Sequence, residues 1–137
     1  MRRYLLDTTP LTAYLRGIAS ARDLIEPWIR RQEAATSILV YGEITEYNKS
    51  FPDVVRRQEQ LRRLLREVSP YIPTFEILER YADVRRQLRP PHGPGLIGDI
   101  DTLIAATALE HGLTLVTTDT DYTRVSGLDL MLLPRKM

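Results

Sequence analysis

The chain has 137 residues, with a hydrophobic fraction of 43% and a charged fraction of 27%. These values are ordinary for a soluble globular protein and allow one domain with a substantial core, which we expect to span residues 1–137. No apolar run approaches the roughly 20 residues of a membrane span. An acid also follows the N-terminal apolar run too early for a signal peptide, so we expect a cytoplasmic protein without a membrane partner.

The absence of cysteine excludes disulfides, thiolate zinc sites and a cysteine nucleophile. Two histidines are too few for a histidine-based metal site without carboxylate ligands. The net charge is +1, but seventeen of the nineteen basic residues are arginine. Because the planar guanidinium group of arginine suits phosphate, this bias is compatible with a nucleic-acid or acidic-peptide partner. Genomic base composition would explain the bias equally well.

Short apolar runs alternate with helical patterns along the chain. The predicted strands are residues 4–6, 34–36, 71–72, 113–117 and 128–133. The predicted helices lie between the strands and begin near Thr9–Pro10, Ala21, Ser37, Pro52–Asp53, Thr74 and Asp99. Pro27 is expected to kink or shorten the second helix. Strands of this kind, separated by helices, predict an α/β three-layer sandwich whose parallel central sheet of about 4–5 strands is flanked by helices.

The segment Asp99–Leu109 is the most distinctive part of the chain. Asp99 is the expected N-cap, and Asp101 lies in the first turn of a helix that is otherwise apolar on almost every side. The sequence therefore predicts two carboxylates at the end of a buried helix. Taken alone, this arrangement is also what the preference of acids for helix N-termini would produce.

Other acids follow the predicted strands closely. Asp7 ends the first strand, Asp119 lies two residues after Thr117, and Glu43 lies on the helix that follows strand 34–36. Ligands of a parallel sheet bind at the carboxyl ends of its strands. These acids and the pair at Asp99–Asp101 can therefore meet if the first strand lies beside strand 113–117.

Carboxylates gathered within about 4–6 Å raise one another's pKa, and a divalent cation resolves this conflict. The candidate ligands are all hard oxygens, which favours Mg²⁺ or Mn²⁺ over Zn²⁺. Such an ion can activate water and stabilise an in-line phosphoryl displacement, so metal-dependent phosphodiester hydrolysis is the reaction that fits.

Four fragments resemble the PIN-domain ribonucleases that act as toxins in VapBC toxin–antitoxin modules, over essentially the whole chain. In order, the fragments are Leu5–Thr8, Gly42–Ile44, Asp101–Leu109 and Leu115–Tyr122. The family often has serine or asparagine two residues after the first aspartate, where this chain has Thr9.

This resemblance implies an acidic metal site with Mg²⁺ or Mn²⁺ and a parallel sheet flanked by helices. It assigns catalytic roles to Asp7, Glu43, Asp101 and Asp119, of which Asp7, Asp101 and Asp119 would bind the metal. The auxiliary residues that it implies are Asp99, Asp121, Thr8 and Thr117. It further implies endonucleolytic cleavage of RNA, a small VapB-like antitoxin that blocks the site, and a homodimer.

Alternatives remain at individual residues and for the whole protein. Glu46 lies three residues after Glu43 and could replace it, and the tyrosines, including Tyr122, are interpreted as packing groups. A non-catalytic PIN-like module that binds RNA or a protein partner is the main functional alternative. A phosphoreceiver domain is disfavoured, because Lys49 and Lys136 are misplaced and only one acid lies near the N-terminus.

Overall fold

The computed structural model describes residues 1–135, and Lys136 lies outside this range. Within these residues five strands form one sheet: β1 (Tyr4–Leu6), β2 (Ala34–Ser37), β3 (Ser69–Tyr71), β4 (Thr114–Thr117) and β5 (Leu130–Leu132). Their order is β3-β2-β1-β4-β5 and every pairing is parallel. The predicted α/β sandwich with a parallel sheet of about 4–5 strands is confirmed, and the first strand lies at the centre of the sheet.

Six helices flank the sheet within residues 1–135. They are α1 (Thr8–Leu15), α2 (Ala19–Arg30), α3 (Ile38–Asn48), α4 (Val54–Glu67), α5 (Phe75–Leu88) and α6 (Asp99–His111). A 3₁₀ helix (Thr120–Arg124) follows β4. Ser37 and Thr74 accept hydrogen bonds from the first turns of α3 and α5, so both predicted caps are confirmed. Gly112 ends α6 at φ 63°, a conformation that glycine adopts without a Cβ penalty.

The three central strands are buried on both faces. Leu5, Leu6, Ala35, Leu115 and Val116 are all fully inaccessible to solvent. A parallel sheet covered by helices requires such continuous apolar runs, which is why short stretches without alternation predicted strands here. None of the helices described within residues 1–135 is long and apolar enough to cross a membrane.

Several predicted boundaries were wrong. The first helix begins at Thr8 with Asp7 as its N-cap, so Thr9 and Pro10 lie inside its first turn, where proline is tolerated because its missing N–H has no helical acceptor. Pro27 does not shorten α2, which continues to Arg30. The last strand covers only Leu130–Leu132 of the predicted residues 128–133, because only these residues pair with β4.

Candidate active site

The sheet order creates a crevice beside β1. The chain first moves outward from β1 through β2 to β3 and then crosses to β4 on the other side of β1. In open parallel sheets, the carboxyl ends of the strands at such a reversal form the usual ligand-binding crevice. Leu6 pairs with Val116, so the next residue of each strand, Asp7 and Thr117, lie at the same level in this crevice.

Asp7 is a buried carboxylate, with only 7% of its surface exposed. The Thr117 hydroxyl donates a hydrogen bond of 2.6 Å to Asp7 Oδ2. Burial raises the pKa of Asp7 from 3.8 to about 6, because removal from water penalises the charged form. The Thr117 hydrogen bond opposes that shift, whereas the negative charges of Asp101 and Glu43 add to it.

Glu43 reaches this cluster from α3, whose first turn is fixed by the Ser37 cap. The Thr8 hydroxyl donates to Glu43 Oε1 at 2.6 Å. Glu43 is half-buried and its charge raises the pKa of both Asp7 and Asp101, whereas Glu46 is exposed. The structure thus brings Glu43, rather than Glu46, to the acidic crevice.

Asp101 is half-buried in the first turn of α6. Burial raises its pKa, and the charges of Asp119, Glu43 and Asp121 act in the same direction. The hydroxyl of Tyr122 donates to Asp101 Oδ1 at 3.0 Å and opposes the shift. The charges of acids from distant parts of the sequence therefore act on Asp7 and Asp101.

Asp119 is tied to the same network through the backbone. Its amide donates to Thr117 Oγ1 at 3.1 Å, and its Oδ1 accepts from the Asp121 amide at 2.9 Å. The side chain therefore caps the 3₁₀ helix that follows β4. Through its one hydroxyl, Thr117 contacts both Asp7 and Asp119.

The charge balance of this cluster is unusual. Asp7, Glu43, Asp101 and Asp119 each accept a hydrogen bond from a neutral hydroxyl or amide. Within residues 1–135, none of the four forms an ion pair with arginine, lysine or histidine. Neighbouring carboxylates without a cationic partner fit a hard divalent cation by charge and by donor chemistry. As they stand, however, no three acidic or histidine side chains in the described range have the arrangement of a metal site.

The two predicted auxiliary acids differ in position. Asp121 is half-buried, lies in the 3₁₀ helix and raises the pKa of Asp101, so it borders the cluster. Asp99 is 72% exposed and its Oδ1 accepts from Arg85 at 2.7 Å and from Tyr81 at 3.1 Å. Its prediction as the N-cap of α6 was wrong, because Gly98 occupies that position and the Asp99 side chain binds α5 instead.

A comparison with protein-family models matches residues 4–128 to the PIN domain. The chain belongs to the PIN-domain family. The match includes the whole crevice, and the sheet order differs from the 2-1-3-4-5 order of receiver domains, so the receiver alternative is wrong. A search of curated proteins finds no significant match.

Solved structures with the same fold include proteins of toxin–antitoxin complexes. VapBC2 from Rickettsia felis, bound to a DNA fragment from its promoter, matches with a TM-score of 0.83 and 22% identity, over 95% of this chain and 98% of that chain. DNA-bound VapBC from Salmonella typhimurium matches with a TM-score of 0.84 and 16% identity, over 96% and 98%. FitAcB from Neisseria gonorrhoeae matches with a TM-score of 0.73 and 21% identity, over 98% and 99%. At these identities the matches show a shared fold.

Sequence reasoning missed one residue of this PIN-domain crevice. It interpreted Tyr122 as packing, and the ring is indeed buried, but the hydroxyl reaches Asp101. The available signal was its place in the fragment Asp119–Tyr122, next to two of the acids. Hydrophobic periodicity predicts that a ring is buried, but it does not predict that the hydroxyl of the ring reaches into the crevice.

Proposed function

We propose that this PIN-domain protein is an endoribonuclease that hydrolyses RNA phosphodiester bonds with Mg²⁺ or Mn²⁺. The observation that carries the proposal is the group of four neighbouring carboxylates whose hydrogen-bond partners are all neutral. Such a group binds a divalent cation more readily than it remains ionised without one.

Asp7, Asp101 and Asp119 are the residues that would hold the cation, with Glu43 as the fourth catalytic carboxylate. When bound, a cation of this kind activates a water molecule and stabilises the charge of the phosphoryl group under attack. The hydroxyl of Thr117 holds one carboxylate oxygen of Asp7 by a hydrogen bond, and the hydroxyl of Thr8 holds one carboxylate oxygen of Glu43 in the same way. Since the pKa of Asp7 is about 6, its carboxylate is mostly ionised at neutral pH and able to bind a cation.

The decisive experiment is cleavage of single-stranded RNA by the purified protein with Mg²⁺, with Mn²⁺ and with a chelator. We expect cleavage only with a metal, and we expect Asp7→Asn and Asp101→Asn to abolish it while retaining the circular dichroism spectrum of the folded protein. Cleavage that persists in the chelator, or in Asp7→Asn, would refute the proposed chemistry.

We further propose that the protein is a cytoplasmic toxin, forms a homodimer and is inhibited by a small VapB-like antitoxin. The proposal is supported by the fold shared with proteins of VapBC complexes. The test is to co-express the chain with the small protein encoded by an adjoining reading frame. Growth arrest by the chain alone, and its relief by that protein together with a co-purifying complex, is the expected result. If the chain is expressed and active but growth is unimpaired, the toxin proposal is wrong.

A second candidate is a non-catalytic PIN module that binds RNA or a protein partner. It is favoured by one observation, the lack of a ready three-ligand arrangement among the acids and histidines of residues 1–135. Calorimetric titration separates the two candidates. Measurable binding of Mn²⁺ that is lost in Asp7→Asn supports the nuclease. If titration with Mn²⁺ gives no heat of binding and the protein leaves RNA uncleaved, the non-catalytic module is supported.

A further inference from the structure

Tyr122 connects the hydrophobic core to the acidic crevice. Its side chain is only 1% exposed and is the largest fully buried one in the described chain. The ring belongs to the core cluster, and its backbone lies in the 3₁₀ helix capped by Asp119. The hydroxyl donates to Asp101 Oδ1 at 3.0 Å.

This contact joins a fixed group to an adjustable one. A buried ring in a close-packed core has little freedom to move. Asp101 is half-buried at the start of α6, and the Tyr122 hydroxyl is the one hydrogen-bond donor to its carboxylate within residues 1–135. The orientation of the Asp101 carboxylate therefore depends on a side chain outside the group of acids.

The direction of the hydrogen bond is also fixed. A carboxylate oxygen can only accept a hydrogen bond, so the hydroxyl of Tyr122 is the donor and Asp101 Oδ1 the acceptor. A donor to one carboxylate oxygen leaves the other oxygen available to a cation. Removal of a group that holds a metal ligand by a hydrogen bond commonly lowers the metal affinity or the activity of the protein.

We propose that Tyr122 is a positioning residue, whose hydroxyl holds Asp101 Oδ1 and so fixes the orientation in which the Asp101 carboxylate would bind a divalent cation. The inference rests on the proposed nuclease function and assigns to this chain a metal-orienting residue on the 3₁₀ helix. Packing requires only the ring, which phenylalanine would supply equally well. Positioning requires the hydroxyl.

Tyr122→Phe removes the hydroxyl and keeps the ring. Tyr14→Phe is the matched control, because it removes a hydroxyl that donates at 2.6 Å to Glu26, which is not one of the crevice acids. The readout is the Kd of Mn²⁺ alone, measured by calorimetry and by electron paramagnetic resonance at pH 7.5. We expect binding to weaken by about 10- to 100-fold in Tyr122→Phe and to change by less than about twofold in Tyr14→Phe.

A second measurement separates positioning from loss of stability. If Tyr122→Phe is poorly folded by near-ultraviolet circular dichroism, 4-aminophenylalanine introduced at position 122 restores a donor at the same place. We expect that replacement to recover Mn²⁺ affinity to within about fivefold of the wild type, which a role in packing alone does not predict.

Two outcomes have different meanings. Wild-type affinity for Mn²⁺ in a folded Tyr122→Phe protein overturns the positioning role and leaves the nuclease proposal intact, provided that the wild type binds Mn²⁺ and cleaves RNA. A wild-type protein that neither binds Mn²⁺ nor cleaves RNA overturns the proposed function and the inference together.

Discussion

Asp7→Asn should make the metal-free protein more stable at neutral pH although it destroys the site. Asp7 is buried, and its pKa in the fold is about 6 instead of 3.8. A carboxyl whose pKa is raised by folding ionises more readily in the unfolded chain, so the folded state loses stability once the pH rises above the pKa of the unfolded chain. The cost begins near pH 3.8, grows until about pH 6 and is constant above that value.

The magnitude follows from the shift. Two pKa units correspond to about 3 kcal/mol above pH 6, because each unit is worth about 1.4 kcal/mol. Asparagine has nearly the same shape, is neutral at every pH, and can still accept the Thr117 hydrogen bond through its side-chain oxygen. We therefore expect Asp7→Asn to raise the Tm at pH 7.5 in a chelator by roughly 6–12 °C. At pH 4.5 the expected gain falls to about 1 kcal/mol.

Thermal and urea denaturation of both proteins at the two pH values measures this effect. Saturating Mn²⁺ at pH 7.5 should narrow or reverse the difference, because the cation stabilises only a chain that can bind it. The reasoning is refuted if Asp7→Asn is less stable than the wild type at pH 7.5 in the chelator, or if its advantage is the same at both pH values.

Three other predictions concern the remaining parts of the site and its support. Glu43→Gln should lower the kcat for RNA cleavage at least about 100-fold, whereas the exposed Glu46→Gln should leave it within about twofold, and equal losses would contradict the assignment of Glu43. Asp99→Asn should alter cleavage by less than about fivefold, because the Asp99 side chain forms an exposed ion pair with α5; a loss as large as that of Asp7→Asn in the same assay would place it in the site. Leu5→Ala in the central strand should lower the free energy of unfolding by about 2–5 kcal/mol in urea titrations, and a change below about 1 kcal/mol would show that the cavity collapses.

The sequence by itself determined the local structure and the chemistry available to it. Apolar runs such as Leu5–Leu6 predicted buried strands, and side chains such as Ser37 predicted helix starts, because both signals act between residues that are near in the chain. The aspartates at strand ends indicated which carboxylates could share a site. These signals were enough to predict the α/β class and the candidate acids.

Only the tertiary structure decided which of these groups meet. The Thr117–Asp7 hydrogen bond joins residues 110 positions apart, and it exists because β1 pairs with β4 in the register Leu6–Val116. The same packing brings Glu43 rather than Glu46 to the crevice and turns Asp99 away towards Arg85. It also directs the hydroxyl of a core tyrosine, Tyr122, to Asp101. Strand order and helix packing depend on the apolar surface that the whole chain buries, so they cannot be predicted from a local sequence pattern.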